Sequence, residues 1–169
     1  YQFTMAVSKA NKGIAGKRKE AEENGEAFDQ QEIKSIVGEE FYICTDHRDK
    51  TKKDNGSIVP LLAKNKKGYH NLAKLSSQSN IEGFYYVPRI DKALLVEHKE
   101  DVIALTGGTS GEIPNLILNV GEEQAEEAFK WWKEQFGDDF YAEIIRHGTD
   151  EENHVNEVLL RFCEKYNVE

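Results

Sequence analysis

The clearest indication of the fold class is the stretch Val102-Ile103-Ala104-Leu105-Thr106-Gly107-Gly108-Thr109-Ser110-Gly111. Its first half is a short, continuous apolar run, which is typical of a buried parallel strand. Its second half is rich in glycine and breaks the strand sharply, as a tight turn between a strand and a helix does. The stretch therefore predicts a strand–turn–helix unit and favours an α/β fold.

Further strands are predicted on both sides of this unit. Residues 41–44 are β-branched and aromatic, and residues 57–63 resemble the next strand. Pro60 lacks the amide hydrogen that a sheet ladder needs, so we expect its strand to lie at an edge or to be irregular. Residues 140–146 form a third candidate strand.

Apolar residues recur at helical spacing in the segments between the strands. Asp91 can cap a short helix, and the motif from Thr149 to Glu152 is a capping box. The helical segments cover residues 69–76, 91–98, 122–136 and 150–166. Strands that alternate with helices indicate βα units around a parallel sheet or barrel, and we assign this body to residues 33–169.

Residues 5–32 differ from the rest of the chain. The stretch 10–25 has Ile14 as its one large apolar side chain, and a basic block is followed by an acidic block. Opposite charges at this spacing support a solvated helix, whereas the glycines between them weaken it. We therefore predict a charged, partly helical insertion within a single domain over residues 1–169.

The composition excludes several classes of protein. The formal net charge of −9 argues against a free-standing nucleic-acid binder, because Lys and Arg supply most of that affinity. No apolar run approaches the roughly 18 residues of a membrane span, and the first residues do not form a secretory signal. Cys44 and Cys163 are too few for a disulfide framework. We expect them to be small buried hydrophobes, which fits a cytoplasmic protein.

Candidate metal ligands are few. None of the five histidines forms an HExxH motif or a close pair. His147 falls at the C-terminal end of a predicted strand, where reactive groups gather in βα barrels. Glu40 begins a strand and could face either a barrel mouth or water. His47 lies in a charged loop beside Asp46 and Asp49, so we expect it to be exposed to solvent rather than bound to a metal.

Two motifs allow both a functional and a structural interpretation. The glycine-rich loop at residues 107–111 could cradle a phosphate, but it lacks the Gly-Lys-Ser/Thr ending of a P-loop, and a tight βα turn explains it better.

Trp131 and Trp132 could stack on nucleic-acid bases. On an amphipathic helix, however, neighbouring residues divide between the core and its edge, and we expect Trp132 in the core.

A basic and aromatic patch is the best candidate for contact with nucleic acid. Lysine, arginine and aromatic side chains alternate there, as they do in sites for single strands. The residues assigned to it are Lys64, Lys66, Tyr69 and Arg89. Because acidic residues outnumber basic ones, we expect contact with DNA only through a larger protein that supplies positive charge.

Six segments, taken in order, resemble one protein family. They are similar to the N-terminal PHP (polymerase and histidinol phosphatase) domain of bacterial DNA polymerase III alpha subunits. The segments are Val37–Tyr42, Pro60–Ser77, Gly83–Asp91, Leu105–Pro114, Trp131–Phe140 and Arg146–Gly148. The resemblance implies a distorted (β/α)7 barrel, incomplete in this sequence, that belongs to a DNA-directed DNA polymerase, which is a nucleotidyltransferase.

The resemblance also implies a site in the barrel mouth for metal ions such as Zn, Mn or Mg, which can hydrolyse phosphoesters. The family's opening His-x-His strand and the Thr-Asp-His strand that soon follows it are absent from the first 32 residues, where Tyr1–Thr4 resembles only the beginning of the first of them. Gly108 stands where members often have cysteine. Glu40 and His147 are the ligand positions that carry over, with Glu112 nearby. Two ligands cannot hold a metal cluster, so we expect no cofactor and no catalytic residue in this chain.

Three functions remain open. The first is a structural domain of a replicative polymerase with a degenerate metal site, which docks the rest of the polymerase chain, the proofreading subunit and other replisome subunits. The second is a metal-dependent phosphoesterase, such as a 3′–5′ exonuclease or a pyrophosphatase, whose missing ligands lie in absent segments. The third is an acidic, non-catalytic module for protein interaction. By itself this chain is expected to be inactive.

Overall fold

The computed structural model describes residues 2–169, with side chains from residue 4 onward. The chain divides into two compact units, one that ends at Ile36 and one that spans Val37–Glu169. Within the described residues, no helix combines the length and the apolar character that crossing a bilayer requires.

The first unit is built on one long helix, α1 (Gln2–Asn24). Its buried side chains, Val7, Ile14 and Ala21, recur every seven residues and so lie on one face. The side chain of Asn11 forms two hydrogen bonds with the backbone of Ile33, both at 2.8 Å. These bonds tie the segment after the helix to its side.

The resemblance of residues 1–4 to the beginning of a strand does not hold for the residues that the structure describes. Residues 2–4 belong to α1, and Thr4 and Met5 are consecutive residues within that helix. Tyr1 lies outside the described residues. The physical reason is local, since residues 2–10 contain no proline or glycine that would end a helix.

The second unit contains one sheet of five strands. Their order across the sheet is β3-β1-β2-β4-β5. The strands are β1 (Gly38–Cys44), β2 (Ser57–Ala63), β3 (Arg89–Asp91), β4 (Val102–Leu105) and β5 (Phe140–Tyr141). β2 runs antiparallel to both of its neighbours, whereas β3 and β5 pair in parallel with β1 and β4. The expected parallel sheet is therefore a mixed sheet.

The fold class is α/β, as the sequence predicts. Five strands in the described residues are fewer than the seven of the expected barrel, which agrees with an incomplete barrel. The antiparallel pairs arise because the loop between β1 and β2 closes a hairpin rather than a βα crossover. Gly56 precedes β2 at a φ of +65°, and a Cβ there would lie 1.8 Å from the carbonyl oxygen of Ile43.

Of the two arrangements expected for the strand that contains Pro60, an edge position or an irregularity, the edge position is wrong, because β2 lies between β1 and β4. The ladder between β2 and β4 begins only at the pair Leu61 and Ala104. Beyond this pair the chain that follows β4 turns into the glycine-rich loop, where Gly107 has a φ of +73°. Pro60 therefore sits at the end of that ladder, where a missing amide hydrogen is tolerated.

The helices of the second unit are α2 (Lys66–Ile81), α3 (Lys92–Glu97), α4 (Glu112–Asn119), α5 (Glu122–Phe136) and α6 (Asp150–Tyr166). Asn65 caps α2, Asp91 caps α3 and Thr149 caps α6 through their side chains. These caps confirm the predicted starts of the last two. α4 is not among the predicted helical segments, although its Pro114 lies in the first turn, where proline is tolerated.

The candidate strand at residues 140–146 is much shorter than predicted. Only Phe140 and Tyr141 pair with β4. Beyond them the amide of Ala142 donates to the carbonyl oxygen of Glu169 at 2.7 Å, and the amide of Glu143 donates to the hydroxyl of Thr106 at 2.9 Å. Bonds to a side chain and to the last residue replace the ladder, so the strand ends.

The core lies between the sheet and its helices. Phe129 on α5 is fully buried, and its ring lies 5.2 Å from that of Phe140 and 5.5 Å from that of Phe162. These edge-on contacts join α5 to β5 and to α6. Cys44 is buried, as expected, and its thiol donates to the carbonyl oxygen of Ile90.

Candidate functional site

Glu40 lies in β1, opposite Pro60 of β2, and is exposed to solvent. Its negative charge acts on Glu143, which follows β5. Burial raises the pKa of Glu143, and the negative charge of Glu40 raises that pKa further. One carboxylate oxygen of Glu143 is buried without a hydrogen-bond partner in the part of the chain that the structure describes. The two carboxyl groups therefore form an acidic pair beside the glycine-rich loop.

His147 does not complete this pair. Its side chain is 78% exposed, and its Nδ1 lies 2.8 Å from Oε1 of Glu152. The other oxygen of Glu152 accepts a hydrogen bond from the amide of His147, and the hydrogen bond from the imidazole lowers the pKa of Glu152. Among residues 2–169, neither Glu40 nor His147 belongs to a group of three side chains that could hold a metal ion.

The glycine-rich loop is closely packed. The amide of Ile58 donates to the carbonyl oxygen of Ser110 at 2.9 Å. A Cβ at Gly111 would lie 2.1 Å from the carbonyl oxygen of Thr106, and one at Gly108 would lie 2.8 Å from the side chain of Ile145. The glycines permit these close approaches, which supports the interpretation as a tight turn.

Glu112, which the resemblance places near the metal site, is bonded to Lys92 and Trp132. Its two carboxylate oxygens accept hydrogen bonds from Lys92 and from the indole of Trp132, each at 2.7 Å. Lys92 also lies over the ring of Trp131, at 4.4 Å from its centre. Glu112, Lys92 and Leu116 line an open cavity of about 440 Å³ at the C-terminal end of β1.

One group of three side chains does have the arrangement of metal ligands. Asp46, His47 and Asp91 each offer one ligand atom, and these atoms lie within 4.8 Å of one another. His47 is only 5% exposed, so the expectation that it lies in solvent is wrong. It is buried because β3 pairs in parallel with β1 and brings Asp91 beside the loop that follows β1. No local pattern could have shown this, because 44 residues separate His47 from Asp91.

The basic and aromatic patch is only partly assembled. Lys66 and Tyr69 are exposed on α2. Lys64 precedes α2, and its ammonium group is bonded to both carboxylate oxygens of Asp139 at 2.6 and 2.8 Å. These three side chains lie at or near the start of one helix.

Arg89 does not lie on that surface, because it is completely buried. Its guanidinium group donates to four backbone carbonyl oxygens, those of His47, Asp49, Asp54 and Gly83, at 2.9–3.2 Å. These bonds hold the loop between β1 and β2 against the residues that precede β3. Arg89 has a structural role in this arrangement, which the alternation of charged and aromatic residues in the sequence did not reveal.

A family model and several curated proteins are similar to this chain, and they point to the same family. The family model described as "PHP domain" matches residues 10–147. The alpha subunit of DNA polymerase III from Borreliella burgdorferi is 42% identical over 140 residues, which are 80% of this chain and 12% of that protein. The alpha subunit from Thermus aquaticus is 40% identical over 79% of this chain and 11% of its own length.

The alpha subunit from Aquifex aeolicus is 39% identical over 152 residues, which are 84% of this chain and 13% of that protein. The chain thus spans about an eighth of the length of the curated relatives that it matches. The match covers most of both units and includes the β1–β2 hairpin, the glycine-rich loop and α5. This chain belongs to the PHP domain family.

Proposed function

We propose that this chain serves as the PHP portion of a replicative DNA polymerase alpha subunit, in which it has a structural role and contacts partner proteins. The relatives that support this proposal are all alpha subunits of DNA polymerase III. The observation that carries it is that the two remaining ligand candidates belong to no group of three metal-binding side chains among the described residues. The charge of Glu40 acts on Glu143, while the imidazole of His147 is bonded to Glu152.

A degenerate metal centre is part of this proposal. A metal ion that hydrolyses phosphoesters needs about three protein ligands and an open position for water. Glu40 and Glu143 provide oxygen atoms only, and Gly108 provides no side chain where family members often have cysteine. The exposed side chain of His147 is held by Glu152 at the start of α6. The residues present at this end of the sheet do not fit a cluster of metal ions.

An assay of metal-dependent hydrolysis tests the proposal. Purified protein is incubated with Zn²⁺, Mn²⁺ or Mg²⁺ and with bis(p-nitrophenyl) phosphate, a 3′-labelled oligonucleotide or pyrophosphate. We expect no hydrolysis above the rate of the metal ion alone. Hydrolysis that requires the protein, and that is lost in Glu40→Gln but kept in Glu39→Gln, would replace a structural role with catalysis.

One observation favours the alternative of a metal-dependent phosphoesterase. Glu143 has a carboxylate oxygen that is buried and without a partner among the described residues, and a raised pKa is typical of groups at functional sites. In this alternative Glu40 and Glu143 are two ligands and other segments of a longer protein supply the rest. The same assay on a longer protein that includes these segments separates the two functions.

Contact with the rest of a polymerase chain is the partner interaction that we propose. Three apolar side chains at the end of α2 are strongly exposed, Ile81 at 78%, Phe84 at 51% and Tyr86 at 65%. Contiguous exposed apolar residues mark interaction surfaces more often than isolated ones do. Hydroxyl-radical footprinting of Phe84 and Tyr86 should show protection in a complete alpha subunit relative to this chain. Tyr42, which is also exposed, serves as the reference for the labelling. Equal labelling of Phe84 and Tyr86 in both proteins would contradict this assignment.

DNA contact through Lys64, Lys66 and Tyr69 is proposed only within the complete polymerase. The acidic balance of the chain opposes independent binding. In the complete protein, Lys66→Ala should weaken binding of single-stranded DNA severalfold at low salt, and Lys74→Ala serves as the control on the same helix. An equal effect of both variants would indicate general charge rather than this patch.

A further inference from the structure

A positively charged loop lies beside the apolar patch, which is formed by Ile81, Phe84 and Tyr86. This loop connects β1 to β2, and its basic side chains, all exposed, are Arg48, Lys50, Lys52 and Lys53. The Nζ atom of Lys53 lies 5.3 Å from the centre of the Tyr86 ring. Arg48 pairs with Glu82, which lies in the same segment as the apolar patch. The basic side chains therefore border the patch on one side.

The carboxylates of this loop are engaged by the loop itself. The aspartates that accept backbone hydrogen bonds from residues 45–56 are Asp46, Asp49 and Asp54. The three lysines, in contrast, form no salt bridge in the part of the chain that the structure describes. The loop thus uses its negative groups to hold its own backbone and leaves three ammonium groups for a partner.

The buried guanidinium of Arg89 fixes the loop and the apolar patch relative to each other. It donates to the carbonyl oxygens of three loop residues, which are His47, Asp49 and Asp54. Its Nε donates at 3.0 Å to the carbonyl oxygen of Gly83, the residue before Phe84. One side chain therefore binds both segments, so the basic and the apolar parts of the surface form a single rigid unit.

The backbone of Tyr86 has an unusual conformation. Its φ is +65°, in the left-handed region that few residues other than glycine adopt. Such conformations persist where surrounding contacts hold them, and they collect at functional sites. The ring of Tyr85 meets that of Tyr86 edge-on at 4.7 Å, and the guanidinium of Arg89 lies over Tyr85 at 5.4 Å. The exposed ring of Tyr86 is therefore positioned before a partner docks, which reduces the cost of ordering it.

We infer that the segment of the alpha subunit that covers the apolar patch is acidic. This inference rests on the proposed contact with the rest of the polymerase chain and adds the chemistry of the partner. An apolar side chain of that segment packs against the patch, and its Asp or Glu residues face Lys50, Lys52 and Lys53. Complementary charges across an interface give specificity and fix the register of the two surfaces.

A tethered acidic segment fits this surface better than a free nucleic acid does. Ile81 is the most exposed side chain of the patch, and it offers an aliphatic surface rather than a ring on which a base could stack. The net charge of −9 also opposes the approach of a polyanion from solution. A segment of the same polypeptide overcomes this repulsion, because the tether holds it at a high effective concentration.

Zero-length cross-linking of a complete alpha subunit that contains this chain identifies the partner directly. A carbodiimide joins a lysine Nζ to a carboxylate in contact with it, and mass spectrometry identifies both residues. We expect Lys50, Lys52 or Lys53 to be joined to Asp or Glu residues outside the 169 residues of this chain. Lys74, an exposed lysine of α2, is the control and should give at least fivefold less of such products.

Hydroxyl-radical footprinting of charge-reversal variants provides a second measurement in the complete alpha subunit. The double variant Lys50→Glu with Lys52→Glu should raise the labelling of Phe84 and Tyr86 at least threefold, toward its level in this chain alone. Lys53 is left unchanged because it contacts the Tyr86 ring itself. The matched control reverses two other exposed lysines, Lys74→Glu with Lys130→Glu, and should leave the labelling unchanged.

The outcomes separate this inference from the contact on which it rests. Protection of Phe84 and Tyr86 that persists in the double variant, without cross-links from the loop, would overturn the acidic partner and leave the contact standing. Full labelling of both side chains in the wild-type alpha subunit would refute the contact and the inference together. Protection of both side chains in this chain by single-stranded DNA alone would also overturn the inference, because phosphate would then supply the negative charge.

Discussion

The indole Nε1 of Trp132 donates a hydrogen bond to Oε2 of Glu112 at 2.7 Å. This bond satisfies the polar atom of a side chain that is only 3% exposed and joins α5 to the first turn of α4. The neighbouring Trp131 is half-buried, and its ring lies beneath the ammonium group of Lys92. The two tryptophans therefore divide between core and edge, as the helical periodicity predicts.

Trp132→Ala should lower the free energy of unfolding by about 3–5 kcal/mol, the range for a large aromatic side chain removed from a core. Trp131→Ala should cost clearly less, because the side chain covers the edge of the core and retains partial contact with water. Urea denaturation of both variants measures the difference. Equal losses would show that α5 is rotated about its axis, so that Trp131 and Trp132 are buried to the same extent.

Arg89→Lys should destabilise the protein by at least about 3 kcal/mol, because a lysine cannot reproduce four carbonyl contacts and each unsatisfied buried group costs about 1–3 kcal/mol. The control is Arg48→Lys, whose side chain is 70% exposed and pairs with Glu82. That change should stay within about 1 kcal/mol, as for other surface ion pairs. Denaturation midpoints check both. A stable Arg89→Lys protein with reduced DNA affinity would instead restore Arg89 to a nucleic-acid surface.

Gly68→Ala should be strongly destabilising, although alanine is the better helix former. Gly68 lies in the first turn of α2, and a Cβ there would lie 2.0 Å from the carbonyl oxygen of Asp101. To make room for this Cβ, α2 and the loop before β4 must move apart. Gly13→Ala in α1, where a Cβ would meet nothing within 4 Å, should instead raise helix stability by about 0.5–1 kcal/mol. Circular dichroism during thermal unfolding compares the two, and a harmless Gly68→Ala would contradict this packing.

Glu126→Gln should reduce stability at neutral pH but not in acid. Hydrogen bonds from Lys165 and Tyr166 lower the pKa of Glu126 in the folded protein, which links α5 to α6. A depressed folded pKa stabilises the protein above the unfolded value of about 4.3 and loses this effect as the pH falls through the folded value. The urea midpoints of wild type and variant should therefore differ at pH 7 and converge as the pH falls through the lowered pKa of Glu126 in the folded protein.

Glu127→Gln provides the control for this titration, because Glu127 is exposed on the same helix and forms no ion pair within the described residues. Its midpoint should follow that of the wild type at every pH. If the urea midpoints of wild type and Glu126→Gln still differ in acid, the shape of the side chain rather than its charge causes the loss of stability.

The helices and their phases could be predicted because their signals are local. Thr149 and Glu152 lie three residues apart, and the side chain of Thr149 accepts the amide hydrogen of Glu152, which is the first of the two bonds of a capping box. The carboxylate of Glu152 binds His147 instead of the amide of Thr149. Trp132 and Phe129 fall on the buried stripe of α5 for the same reason, since contacts along a helix connect residues three and four apart. The resemblance to the family rests on six segments in order, and each of these is likewise a local pattern.

Local patterns were enough to predict the α/β class, the starts of α3 and α6, the buried face of α5 and the family resemblance. Long-range contacts set the direction of the strands, the interior position of β2, the burial of Arg89 and the hydrogen bond between His47 and Asp91. Strand pairing is set by contacts between residues far apart in the chain, and burial depends on which elements pack together. A charged loop such as 46–56 therefore has no local pattern that distinguishes an exposed histidine from one held by an aspartate 44 residues away.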